Sequence, residues 1–142
     1  MIDPRTPCLI GVGARTWHPE DVGEEGAPEP LAMWEDVARA AAHDAGAPGL
    51  LERVESLQVV YCQTWQYDDA VGRLSSRLGI NPRHGLYSGI GGTTPQLLLD
   101  GAAEAMLRDD LDLALVVGAE AIATARAYFL RAEAPPVRAR SP

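Results

Sequence analysis

Between Leu86 and Glu120 the chain reads LYSGIGGTTPQLLLDGAAEAMLRDDLDLALVVGAE, and no other stretch narrows the possible folds as much. A short β-rich run enters a glycine turn, Gly89-Ile90-Gly91-Gly92-Thr93-Thr94. A helix comes next, with Thr94 as the expected N-cap and Pro95 at its first position. The segment ends in an apolar run, Leu113 to Val117, that reads as a strand. Strand, glycine turn, helix and strand in that order make a parallel crossover unit. In α/β enzymes such a turn is where a nucleophile or an anion is commonly placed. Here it holds only glycine, isoleucine and threonine.

The rest of the chain extends the same pattern. Cys8 to Ala14 is a short apolar run ending in glycines and is expected as a buried strand, with Cys8 a core thiol. Arg15 to Pro30 is rich in Gly, Pro and acid and reads as a loop. Leu31, Trp34, Val37 or Ala38, Ala41 and Ala45 follow helical spacing from Pro30, and Gly46 is the expected C-terminal cap. Val54 to Cys62 is a second expected strand. Asp68 or Asp69 caps a short helix through Leu78, stopped by Gly79 and Pro82. Gly85 to Ser88 is a third strand, and a last helix is expected within Ala119 to Ala132. The order β-α-β-α-β-α-β predicts an α/β fold, a mostly parallel sheet with helices on both faces. One domain over residues 1–133 and a disordered tail over 134–142 complete the expected organisation.

The 142 residues carry a formal net charge of −8, which argues against a nucleic-acid footprint. No apolar run reaches the roughly 20 residues needed to span a bilayer, and no secretory signal is visible at Met1 to Arg5. Two cysteines make neither a disulfide framework nor a metal site. The three histidines, His18, His43 and His84, lack ligand spacing. A cytoplasmic protein with no bound cofactor or metal is the expectation.

Several residues carry candidate chemistry. The Gly89–Thr94 turn can form an anion nest of backbone N–H groups, with hydroxyls from Thr93 and Thr94. Equally, its glycines can simply let a strand pack tightly against the helix. Cys62 ends a strand on the expected ligand side of the sheet. A nucleophile there needs a base; Gln63, Thr64, Trp65 and Tyr67 offer none, so a structural thiol is the preferred reading. Glu120 ends the last strand on the same side, where it orients the turn or caps the next segment. His84 precedes a strand and is either a site residue or a surface or capping one. Trp17, Trp65 and Tyr67 either cover a pocket or are partly buried in the ordinary way. Gly11-Val12-Gly13 has the start of a dinucleotide turn but not its third glycine, because Thr16 stands there.

In order and spacing, Ile10-Gly11-Val12-Gly13-Ala14-Arg15-Thr16, Val54 to Cys62, Gly89 to Ala103 and Val116-Val117-Gly118-Ala119-Glu120 resemble the N-terminal half of the thiolase superfamily. The likeness is to thiolase-like and sterol-carrier-protein-type members. It implies half of an αβαβα sandwich in which the 95–106 helix is covered on two sides. Burial of Leu97 to Leu99 would then contribute about 1.5–3 kcal/mol per side chain. It also implies an acyltransferase or carbon–carbon lyase role on coenzyme A thioesters. The implied substrate-binding residues are Gly91, Gly92, Thr93, Thr94, Cys62, Glu120 and His84. The family's nucleophilic cysteine falls on Gly91, and some thiolase-like relatives that lack it act as lyases with a partner protein. The family's histidine and second cysteine belong to a C-terminal half outside these residues, and the change at Ala134-Pro135-Pro136 suggests a fragment. An isolated chain without activity is therefore expected. The resemblance also implies a homo- or hetero-oligomer joined through the strand at Gly85–Ser88. The alternative is a non-catalytic binding or assembly module that dimerises with a full-length thiolase-like or lyase partner.

Overall fold

The computed structural model describes residues 3–18, 20–22, 26–108 and 110–130. Helix α1 (Pro30–Asp44) is followed by a 3₁₀ turn (Pro48–Arg53) and strand β1 (Ser56–Val59). Helix α2 (Ala70–Leu78), strand β2 (His84–Tyr87), helix α3 (Thr94–Leu107), strand β3 (Ala114–Val117) and helix α4 (Ile122–Leu130) complete the order. The three strands are all parallel, in the order β2-β1-β3. In register, Ser56 lies beside His84 and Ala114, and Val59 beside Tyr87 and Val117. The α/β class and parallel sheet are as the sequence predicts.

Local chemistry accounts for the helix ends. The Asp69 side chain caps α2 by accepting from the Gly72 N–H at 2.8 Å. Gly79, at φ +71°, ends that helix in the left-handed region that glycine adopts without a Cβ penalty. Gly46, at φ +70°, does the same just past α1. At α3 the expected cap moves by one residue. Thr93 is the N-cap and uses no side-chain bond, while Thr94 is already helical and its hydroxyl points back to the Gly89 carbonyl at 3.5 Å.

The core lies on one side of the sheet. Leu57 and Val59 of β1 are fully buried against Trp34 and Ala38 of α1 and Leu74 of α2. Alternation along the strand sends Ser56 and Gln58 to the opposite face, where α3 lies. That second face is thinly covered. Only Leu98 and Ala102 of α3 are buried; Leu97 is 63% and Leu99 43% exposed. Among the described residues nothing packs on the outer side of this helix, so Leu97 and Leu99 face solvent, as expected for a sandwich helix without the second half that the resemblance implies.

The largest departure is the opening segment. Residues 8–14 form no strand, and Leu9, Ile10 and Val12 are exposed. Cys8 is exposed as well, not a core thiol. The segment runs extended along α1 instead. A Cβ at Gly11 or Gly13 would collide with the carbonyls of Ala41 and Val37, so these glycines allow backbone to touch helix. The Val12 N–H donates to Asp44 at 2.9 Å. Close packing thus accounts for the glycines of the dinucleotide-like turn. The expected tail over 134–142 and the end of the last expected helix lie outside the described residues.

Candidate functional site

The C-terminal ends of the three strands gather most of the predicted site. Glu120 follows β3, and its carboxylate reaches across to the loop after β1. It accepts from the N–H groups of Gln63 at 2.8 Å and Thr64 at 3.1 Å, and from the Thr64 hydroxyl at 2.6 Å. The Cys62 thiol donates to it at 3.6 Å. Burial tends to raise this carboxyl's pKa, but the Thr64 hydroxyl and the Gln63 and Thr64 N–H groups more than offset that, so it lies below the usual Glu value. Glu120 is therefore an anionic clamp that ties the two strand ends together.

Cys62 is fully buried. Burial pushes its thiol pKa up, the Thr64 hydroxyl opposes this, and the Glu120 charge adds to the rise. A protonated thiol that donates to a carboxylate is the reverse of an activated nucleophile. This environment suits a structural thiol. Its N–H donates to the Tyr87 hydroxyl at 3.0 Å, and Tyr87 stacks at 5.5 Å from Tyr61. Tyr67 packs 5.1 Å from Trp34 and accepts from the Leu31 N–H, and Trp65 is buried. These aromatics hold the strand ends. Trp17, with the Arg15 guanidinium 5.1 Å above its ring, stands at a separate surface recess near Ala119.

The glycine turn closes on itself. The Ser88 hydroxyl accepts from the Tyr61 N–H at 2.8 Å and donates to the Gly89 carbonyl at 3.0 Å. The Thr94 N–H is spent on the Gly91 carbonyl at 3.2 Å, and Pro95 has no N–H to offer. Gly89, Gly91 and Gly92 all lack positive φ. None of these glycines therefore supplies the left-handed residue of an alternating-handed nest, the anion-binding one of the two readings of this turn. What the turn does present is five N–H groups, those of Gly89, Ile90, Gly91, Gly92 and Thr93, with no protein partner among the described residues.

A recess of about 450 Å³ separates the start of α3 from the ends of β1 and β3. Val60, Tyr61, Pro95, Leu99 and Val116 make it mostly apolar, and Glu120 stands at its edge. No attacking side chain lines it. Gly91 has room for one: a Cβ there would meet only the Thr94 hydroxyl, at 2.9 Å, which can rotate away. Among the described residues no cluster of His, Cys, Asp and Glu could hold a metal ion.

His84 is placed apart from these residues. It begins β2, so it lies at the opposite end of the strands, with Nδ1 2.8 Å from the Ser56 hydroxyl. Sequence reasoning passed over Ser56 and Gln58, whose burial on a central strand becomes visible only in the sheet. The i, i+2 spacing on a β-rich run was the available signal.

Comparison with solved structures matches the chain to a protein described as a monomeric SCP2-thiolase like protein type 1 from Mycobacterium smegmatis. The match has a TM-score of 0.69 at 24% sequence identity and covers 83% of this chain. The fold is thiolase-like. The match spans only 24% of that protein's length. No family model matches the sequence, and no curated protein sequence matches it. No helix among the described residues is long and apolar enough to cross a membrane.

Proposed function

We propose that this chain is an acyl-CoA-handling protein of the thiolase type that does not turn over substrate on its own. The carrying observation is the mostly apolar recess of about 450 Å³ at the strand ends, lined at the start of α3 by Pro95, with the unpartnered N–H groups of the Gly91–Thr93 segment just before that proline in the chain. An acyl group fits the recess, and those N–H groups are donors for a thioester oxygen. Gly91 stands where the family carries its nucleophile, and Cys62 is held protonated, so no side chain here supplies the attack. The histidine and second cysteine of an acyltransferase cycle, or a lyase partner, would come from outside these 142 residues. Incubation of the chain with acetoacetyl-CoA and CoA is expected to give no thiolysis above background. Acetyl-CoA is expected to raise the melting temperature saturably. Robust turnover overturns the inactive assignment; indifference to acetyl-CoA overturns the ligand assignment.

A second reading is an assembly module that pairs through β2 with itself or a thiolase-like partner. It is favoured by one observation: β2 is an edge strand, exposed along most of its length, with the 39% exposed Leu86 in it. The solved relative is described as monomeric. Sedimentation of the chain decides: a dimer indifferent to acetyl-CoA supports the module, and a monomer across the micromolar range removes self-pairing.

A further inference from the structure

β3 is an edge strand, and half of its backbone is unused. The Ser56 and Val60 N–H groups donate to the Leu113 and Val117 carbonyls at 3.2 and 2.8 Å, so alternate residues of β3 spend their backbone on β1. The N–H and carbonyl groups of Ala114 and Val116 point the other way. They meet no protein partner among the described residues. Beyond that edge lies the extended opening segment, and two clefts follow one another between the two. Residues 4–11 and 111–114 line the first, of about 360 Å³; residues 13–17 and 118–124 line the second, of about 380 Å³. The segment therefore runs beside β3 in the same direction without bonding to it.

Its own backbone is equally unused. From Cys8 to Ala14 the Val12 N–H alone has a protein partner among the described residues, the Asp44 carboxylate. Gly11 and Gly13 press the segment onto α1, and Met33 and Val37 of that helix line the second cleft. Two rows of free backbone groups thus face each other beside an apolar helix. A gap of that kind has the chemistry of a sheet with one strand missing.

We propose that this slot receives a β-strand from a second polypeptide, one that supplies more of a thiolase-like fold than these 142 residues carry. The strand pairs with Ala114 and Val116 on one side and with the opening segment on the other. Its side chains alternate, apolar toward α1 and polar toward the outer face. Two observations select this occupant. The matched region is 24% of the solved thiolase-like structure, so most of that fold comes from residues without a counterpart here. Residues 131–142 of the chain itself carry three prolines and three arginines, a poor source of amide donors and of an apolar face. The inference stands apart from the acyl-CoA reading, since neither the slot nor its test involves a thioester.

The test is an NMR titration of the full ¹⁵N-labelled chain with the acetylated, amidated peptide Lys-Val-Thr-Val-Thr-Val-Lys as the strand. Saturable shifts are expected at Ala114, Val116 and between Leu9 and Gly13, with amide exchange there slowed at least about tenfold. A strand between two edges offers alternate N–H groups to each. N-methylation of the peptide at its valines, or instead at its threonines, should therefore weaken binding at least about tenfold in both cases. A strand added to a single edge would tolerate one of the two patterns. Ala114→Pro removes an edge donor that β1 does not use, at the first residue of a strand, where proline is accommodated; it should weaken the peptide severalfold. Several results overturn the proposal: no saturable shift, shifts at His84–Tyr87 instead, binding that survives either N-methyl pattern, or unchanged binding by a folded Ala114→Pro. Slow exchange at residues 9–13 in the free chain would assign the slot to the chain's own residues, and concentration-dependent shifts there to a second copy; either also overturns it.

Discussion

Replacing Glu120 with alanine removes the acceptor of four hydrogen bonds that join the end of β3 to residues 62–64. The bonds differ in weight. Gln63 is exposed, so water can replace the carboxylate at its N–H. Thr64 is half-buried and loses two bonds, and the buried Cys62 thiol loses its acceptor. Hydrogen bonds to a charged group contribute about 1.5–3 kcal/mol each where water is excluded and much less where it is not. Glu120 is itself exposed, as are its bonds to Gln63 and Thr64, so a total loss of about 1–2 kcal/mol is expected, with Thr64 and Cys62 dominating. Glu120→Gln keeps one acceptor oxygen without the charge and is expected to lose roughly half of that. The assay is urea unfolding followed by tryptophan fluorescence, since Trp65 and Trp34 are both buried near the clamp. The pH dependence supplies a second signature. The folded pKa of Glu120 lies below the usual 4.5, so its stabilisation is present above that value and is lost as pH falls through the folded pKa. Removing the carboxylate should therefore flatten the fall in stability below pH 4.5. A loss under about 0.5 kcal/mol for Glu120→Ala, the range of an ordinary surface change, with an unaltered acid limb, would refute the clamp.

The same geometry sets two further outcomes. With Cys8 exposed and Cys62 buried, protonated and bonded to Glu120, a disulfide reagent at pH 8 should modify Cys8 alone in the native chain and both thiols in denaturant; rapid native reaction at Cys62, read by peptide mass, would contradict its buried state. On α3, Leu98→Ala should cost about 2–4 kcal/mol, whereas Leu97→Ala should change stability by less than about 0.5 kcal/mol in urea titrations. Equal losses at the two sites would mean that the outer side of α3 is covered in solution.

The elements legible from the sequence are those whose signals are local. Proline at the start of α1, the Asp69 cap, and Gly46 and Gly79 past their helices mark chain direction without help from distant residues. The run Ala114–Val117 is apolar throughout and reads as a strand for the same reason. The opening segment carries an equally strong apolar signal, yet it forms no strand. An apolar run becomes a strand only where a neighbouring edge accepts its N–H and carbonyl groups, and periodicity cannot report whether that edge is offered.

The site divides in the same way. The sequence alone put Cys62, Glu120 and the Gly91–Thr94 turn at the ends of successive strands, since parallel crossovers bring like ends together. It also showed that glycine stands at the turn's centre. Tertiary structure decided the rest. The Glu120 carboxylate spends its acceptors on the 62–64 loop, the turn avoids the left-handed conformations a nest needs, and His84 falls at the opposite end of the sheet. Those outcomes depend on distances between residues far apart in the chain, such as the 57 positions separating Glu120 from Gln63. Hydrogen-bond reach is set by folded geometry, and residue order leaves it open.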